Sequence, residues 1–255
     1  MSHKKVSLIL TTYNCKNNLE KTLKSIEEQD YPNIEVVIKD AKSTDGTLDV
    51  IKEYQKKSRF QVIWKSEIDT GIYEGMNQGY NLSSGEIIAF FNDVFLKRNS
   101  VSLLVSKLEE NKFDISQQYV GVHADLVYMN EDQVVRKWKM GKGSIYEGWM
   151  PGHPTLFLKR EIYEKYGLYD TSYKISADYE FMIRFLKDEE NELAYLPELV
   201  VSMFYGGTSS NGLKSYMASY KESYKALKKN GIKGAWLINS IRTIRVIMQF
   251  TRRKS

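Results

Sequence analysis

The chain has 255 residues, 42% of them apolar and 27% charged, which excludes a disordered chain and fits one α/β domain, alone or with an appended segment. Its single cysteine, Cys15, excludes an internal disulfide framework, suits a reducing compartment and reads as a small buried helix-face residue rather than a nucleophile. The net charge of +5 is unevenly spread: from Lys214 onward eleven Lys and Arg face one acid, Glu222, and the rest of the chain carries −5.

At the N-terminus the apolar part of MSHKKVSLIL is too short for a signal peptide. Val6 to Leu10 reads as a buried strand, with Thr11-Thr12-Tyr13-Asn14 as the loop at its carboxyl end. Asn14 is expected to N-cap the next helix, in which Leu19, Leu23 and Ile26 recur at helical spacing. Ile34 to Ile38 is a second buried strand and runs out at Asp40. The polar turn AKSTDGT follows, with Ser43, Asp45 and Gly46, then a helix through Leu48 and Ile51. Phe60 to Trp64 is a third strand.

The next stretch, Glu67 to Asp93, organises the rest. A turn of Asp69, Thr70 and Gly71 leads into a helix from Tyr73 to Leu82. The short apolar run Ile87 to Phe91, bounded by turn signals, reads as a fourth buried strand and stops at Asn92-Asp93. Strands alternating with helices at this spacing predict a right-handed, doubly wound, mostly parallel sheet. Ligands of such sheets sit beyond the carboxyl ends of the strands, where Asp40 and Asp93 both fall.

The second half is less regular. Ala124 to Met129 and Val134 to Lys139 predict two strands around a turn at Asn130, Glu131 and Asp132. Thr155 to Leu158 reads as a short strand, Arg160 to Tyr166 as a helix closed by Gly167. A further helix opens at Ser176-Ala177-Asp178, Leu199 to Tyr205 is a strand, and GGTSSNG a loose loop. Two helices, Leu213 to Lys229 and Gly234 to about Arg252, finish the chain.

Four residues invite chemistry. Asp40 can accept the imide N–H of a uracil or cap its own turn, and spacing leaves both open. Asp93 suits a hard divalent cation on a diphosphate, or backbone donors at a strand end. Asp178, in a helix first turn, is favoured there by the macrodipole and is equally placed to act as a general base. His153, in the turn Pro151-Gly152-His153-Pro154, has no second His or Cys at metal spacing, so it reads as a cleft or turn residue. Neither G-x-G-x-x-G nor a P-loop is present. The last helix mixes Trp236, Leu237, Ile241 and Ile244 with Arg242 and Arg245, a basic amphipathic pattern suited to an anionic membrane surface or to packing on the domain. No recognition motif accompanies the charge, so nucleic acid is not an expected partner.

The order of these motifs resembles the family 2 glycosyltransferases, inverting nucleotide-sugar enzymes of the GT-A fold. Thr11 to Asn14 and Asp40 with Ser43 to Thr47 are similar to the family's first two nucleotide loops. Asp69-Thr70-Gly71-Ile72-Tyr73 with Met76-Asn77-Gln78-Gly79 resembles a signature of a bacterial polysaccharide branch. Gly85-Glu86-Ile87-Ile88 leads into the acidic motif, and His153-Pro154-Thr155, Gly167-Leu168-Tyr169-Asp170, Ala177-Asp178-Tyr179 and Gly206-Gly207-Thr208-Ser209 continue the match over roughly residues 5 to 230.

The resemblance implies a single GT-A domain over residues 1–212, with a Rossmann-like nucleotide-sugar half (1–98), an acceptor half (99–212) and a basic helical extension (213–255). It implies a nucleotide-sugar donor, above all a UDP-sugar, contacted by Thr11, Tyr13, Asn14, Asp40, Ser43, Asp69, Gly71, Tyr73, Asn77, Asn92 and Asp93. Asp93 would hold Mg²⁺ or Mn²⁺, Asp178 would be the catalytic base, and His153 and Tyr179 would face a glycan or lipid-linked acceptor. GGTSSNG would be a lid. The family members in view build lipopolysaccharide, capsule or exopolysaccharide, which implies a cytoplasmic enzyme peripheral to the inner membrane face; a homo-oligomer stays open. One departure stands out: the acidic motif is cut to Asn92-Asp93, followed at once by Val94-Phe95. A non-catalytic nucleotide-sugar binder on the same fold is the alternative.

Overall fold

A computed structural model describes residues 3–110, 118–130, 133–204 and 212–251. Strands β1 (Val6–Thr12), β2 (Ile34–Asp40), β3 (Gln61–Ser66) and β4 (Ile87–Phe90) alternate with helices α1 (Lys16–Glu27), α2 (Thr47–Lys57) and α3 (Ile72–Leu82). The four strands pair in parallel in the order β3-β2-β1-β4. The chain thus steps outward from β1 to β3 on one side, then returns to place β4 on the other. The crevice between β1 and β4 is the topological switch point, the place where such sheets bind ligands.

Both faces of the sheet are covered at β1, β2 and β4, which is why those strands are mostly apolar, whereas the edge strand β3 is partly exposed. Successive side chains point to opposite faces, so each of the three covered strands divides between two cores. Leu8, Leu10, Val36, Ile38 and Ala89 pack with Leu19, Leu23 and Ile26 of α1. Ile9, Val37, Ile88 and Phe90 pack with Tyr73 and Met76 of α3 and with the aromatic residues that follow in the chain. Gly79 lets α3 come close: a Cβ there would lie 2.5 Å from Ile9 Cγ2.

The second half comprises β5 (Val94–Phe95), α4 (Ser100–Glu109), β6 (Gly121–Asn130), β7 (Gln133–Trp138), β8 (Phe157–Lys159), α5 (Arg160–Tyr166), α6 (Ala177–Leu186) and β9 (Leu193–Phe204). It extends the same sheet in mixed fashion, β8 antiparallel to β4, then β6, β9 and β5, with β7 folded back on β6. Helices α7 (Gly212–Lys229) and α8 (Ala235–Thr251) close the chain.

Three expectations change. The last strand starts at Leu193 rather than Leu199, because its pairing with β6 continues across an irregularity at Pro197, whose missing N–H masks the strand in the sequence. Thr155 belongs to a 3₁₀ turn, His153–Thr155, ahead of β8. The C-terminal helices are not an appendage: Ala226, Leu227, Ile232, Ala235 and Ile238 are buried in the second core beside Tyr179 and Phe181. The turn at residues 131–132 and most of GGTSSNG, with its expected lid, lie outside the described residues.

Candidate functional site

A cleft of about 840 Å³ opens at the carboxyl end of the parallel strands. Its wall takes Thr11, Thr12 and Tyr13 after β1, Ala41 and Lys42 after β2, Ile68 to Ile72 before α3, and Asn92 after β4. Asn92 stitches the switch point. Its Oδ1 accepts from the Thr11 backbone N–H at 3.0 Å and its Nδ2 donates to Thr11 Oγ1 at 3.0 Å.

The first two loops are locked to each other. Asn14, at φ 45°, does not cap α1. Its Oδ1 accepts from Thr44 N at 2.8 Å, and the free amides at the start of α1 go to the other loop. Cys15 N donates to Thr47 Oγ1 (3.1 Å) and Lys16 N to Asp45 Oδ2 (3.1 Å). The cap expected from the neighbouring residue is thus supplied from about 30 residues away, by side chains that meet the same orphan donors. Lys42, at φ 60°, is a second left-handed residue and stands in the wall itself.

Asp40 is buried just behind that wall. Its carboxylate accepts from Thr12 Oγ1 (3.0 Å), Ser43 Oγ (2.5 Å), Ser43 N (3.0 Å) and Ser66 Oγ (2.6 Å). Burial pushes its pKa up, but the hydroxyl and amide donors win and hold it below the usual carboxylate value. Beside it lies a residue that the sequence reading passed over. Lys39, fully buried, donates to Asp40 O (3.0 Å) and Glu67 O (2.6 Å) and pairs with Asp69 Oδ2 at 3.3 Å. The signal was a lysine inside a buried strand. Asp69 is thereby fixed in the cleft wall, with its Oδ1 accepting from Gly71 N at 3.2 Å.

Of the residues expected on the nucleotide sugar, Thr11, Tyr13, Asp69, Gly71 and Asn92 line the cleft; Asn14, Asp40, Ser43, Tyr73, Asn77 and Asp93 do not. Asn77 is turned elsewhere: its amide donates to Tyr169 O (2.9 Å) and accepts from Tyr169 N (3.0 Å). Tyr73 donates to Ile175 O (2.6 Å) and to Asp178 Oδ1 (3.1 Å). Both contacts tie α3 to residues 169–178, a strap that carries Asp178 into the first turn of α6. His153 Nε2 lies 2.8 Å from Tyr169 Oη, and the ring stacks on Phe90. Burial lowers the pKa of His153, with Asp178 acting against it. Tyr179, expected toward the acceptor, instead sits in the second core at 1% exposure, with Arg242 of α8 4.5 Å over its ring.

Asp93 is nine-tenths buried, and its one hydrogen bond among the described residues comes from Phe204 N at 3.2 Å. Burial without a balancing charge pushes its carboxyl up to about 7. Oxygen donors of this kind suit a hard dication, which would supply the missing charge. No cluster of three or more His, Cys, Asp or Glu side chains surrounds it among the described residues. A cation held here would therefore draw its other ligands from a bound diphosphate and water.

Known proteins share this fold, the GT-A fold, and a family match gives its class. The family model for glycosyl transferase family 2 matches residues 7–167, and the chain belongs to that family. A dolichyl N-acetyl-α-D-glucosaminyl phosphate 3-β-D-2,3-diacetamido-2,3-dideoxy-β-D-glucuronosyltransferase of Methanococcus voltae is 29% identical over 231 residues, 84% of this chain and 71% of its own length. Residues 1–349 of Staphylococcus aureus TarS, solved with UDP-GlcNAc, superpose with a TM-score of 0.70 at 18% identity, covering 98% of this chain and 72% of that one. A Pyrobaculum calidifontis mannosyltransferase, solved with GDP-Man and Mn²⁺, gives 0.68 at 20% identity, covering 91% of this chain and 66% of that one. The chain is thus a glycosyltransferase. Asp178 and both C-terminal helices fall beyond the matched family segment.

Proposed function

We propose that the enzyme inverts configuration as it moves a sugar from a UDP-sugar to a hydroxyl of a lipid-linked glycan, with Asp178 as the base. The observation that carries this is the Asp178 carboxylate, held by the Tyr73 phenol one residue beyond Ile72 of the cleft wall. The acceptor oxygen attacks the anomeric carbon opposite the leaving group and Asp178 takes its proton. The bond from the anomeric carbon to the phosphate oxygen breaks as the new glycosidic bond forms, so nucleoside diphosphate leaves with the electron pair. The exposed ring of Tyr13 offers a stacking face to the base. Asp40, just behind the wall, is the proposed acceptor for the imide N–H. A Mg²⁺ or Mn²⁺ bound by Asp93 would supply positive charge to the diphosphate.

UDP as the nucleotide and a lipid-linked acceptor are supported by the named ligands and substrates of the structural neighbour and the archaeal relative. An anionic membrane surface is the proposed partner of the basic C-terminal pair, and polysaccharide or glycolipid assembly at that surface the proposed setting. Asp178→Asn is the direct test. It keeps shape and removes the base, so kcat for sugar transfer should fall about 10²-fold or more, with UDP affinity unchanged. Full activity in that variant would sink the assignment.

A further inference from the structure

Glu222, the lone acid of the basic tail, has no role in the reaction above. It lies on α7, outside both the cleft and the matched family segment. Yet its carboxylate accepts three consecutive backbone amides of the strap: Lys174 N at 3.0 Å, Ile175 N at 2.9 Å and Ser176 N at 2.9 Å. These residues end two positions before Asp178. A carboxylate that gathers three successive amides just ahead of a helix fixes that backbone, and its charge complements the positive end of the helix.

The same strap is held from the opposite side by α3. Tyr73 donates to Ile175 O, whose own N–H goes to Glu222, so residue 175 is gripped at both ends of its backbone. Lys229 adds an ion pair to Asp170 at 2.7 Å, and Lys225 and Lys229 lie over the ring of Tyr173. We propose that Glu222 is a positioning residue for the transfer reaction: its triple amide contact sets the backbone from which Asp178 reaches the acceptor. The base is therefore assembled from two directions, by α3 of the nucleotide half and by α7 of the C-terminal pair. This rests on Asp178 being the base.

A displacement on the order of 1 Å at a reacting group costs about 10²-fold in rate, and Glu222 touches no part of the donor cleft. Glu222→Ala should lower kcat by roughly 10- to 100-fold while UDP affinity stays within about twofold. Glu222→Gln keeps an acceptor oxygen without the charge and should recover part of the lost rate. The assay is release of UDP or GDP from UDP-GlcNAc, UDP-Glc and GDP-Man with water as acceptor. It is read beside amide hydrogen exchange, which needs no substrate. In Glu222→Ala the amides of residues 174–176 should exchange faster while β1, β2 and β4 keep their protection.

Unchanged kcat in a folded Glu222→Ala protein overturns the proposal, as does unchanged exchange at residues 174–176. Loss of UDP affinity and sheet protection together with kcat also overturns it, since that marks general loosening. Asp178→Asn, assayed in parallel, separates the two readings. If it alone retains full activity, the base assignment falls whatever Glu222 does.

Discussion

Several charged side chains here are defined by what burial asks of them. Asp40 and Asp93 both follow or end parallel strands, yet their ionisation moves in opposite directions. Four donors hold Asp40 low, while Asp93, with one amide, is pushed up to about 7. A cation is the natural complement of the second and not of the first. Asp93→Asn should therefore abolish the extra thermal stabilisation that Mn²⁺ adds to UDP binding, while the shift with UDP alone survives. An undiminished Mn²⁺ increment would place the ion elsewhere. His123 makes a second residue-level case. It stacks on Tyr195 with Nδ1 unpartnered among the described residues, and burial pushes its pKa down to about 3. The folded state thus refuses a proton that the unfolded chain accepts below about pH 6.5. Stability is lost as pH falls from there, by up to about 1.4 kcal/mol per pH unit. His123→Phe should remove this loss, gaining up to about 2 kcal/mol at pH 5 relative to its effect at pH 8. Denaturant unfolding at the two pH values measures it.

At the scale of elements, the parallel half was legible because its periodicities are local. Val6 to Leu10, Ile34 to Ile38 and Ile87 to Phe91 are apolar runs that only two-sided burial explains, and the order of turns fixed where their ends meet. What stayed hidden was non-local. The α1 amides are met by Thr47 and Asp45 from the next loop, Asn77 turns to Tyr169 about 90 residues away, and no window of sequence contains both partners. Pro197 concealed half of β9 for a local reason, its missing donor. The last helix was read as amphipathic with two alternatives, a membrane surface or packing on the domain, and one of its faces packs on the domain. One face of α8 buries Ala235 and Ile238, while Trp236, Leu237 and Ile244 stand 67%, 55% and 55% exposed. No acid occurs in α8, so the exposed stripe matches an anionic bilayer interface in both polarity and charge. Trp236→Ser, Leu237→Ser and Ile244→Ser combined should weaken binding to phosphatidylglycerol vesicles at least about tenfold. Because these side chains are exposed, Tm should stay unchanged; vesicle sedimentation and calorimetry read the two effects separately.

For the molecule as a whole, charge and architecture divide the labour. The acidic body carries the cleft and the basic pair α7–α8 carries the exposed apolar stripe, while among the described residues no helix is long and apolar enough to cross a membrane. Contact with an anionic surface would weaken as salt screens it, with the apolar part persisting. The two cores also divide the chain unequally. The first is complete within residues 6 to 201, whereas the second needs Ala226 to Ile238 to cover Tyr179 and Phe181. The grip of Glu222 on residues 174–176 gives this division a practical edge for anyone recombining such enzymes. A chimera joined near residue 212, to lend one catalytic body the C-terminal helices of a relative, would exchange the acceptor of three backbone hydrogen bonds along with the exposed apolar stripe of α8. Unless the incoming helix brings a carboxylate to the same place, the hybrid should keep its appetite for nucleotide and lose its speed, and swapping a tail would change turnover.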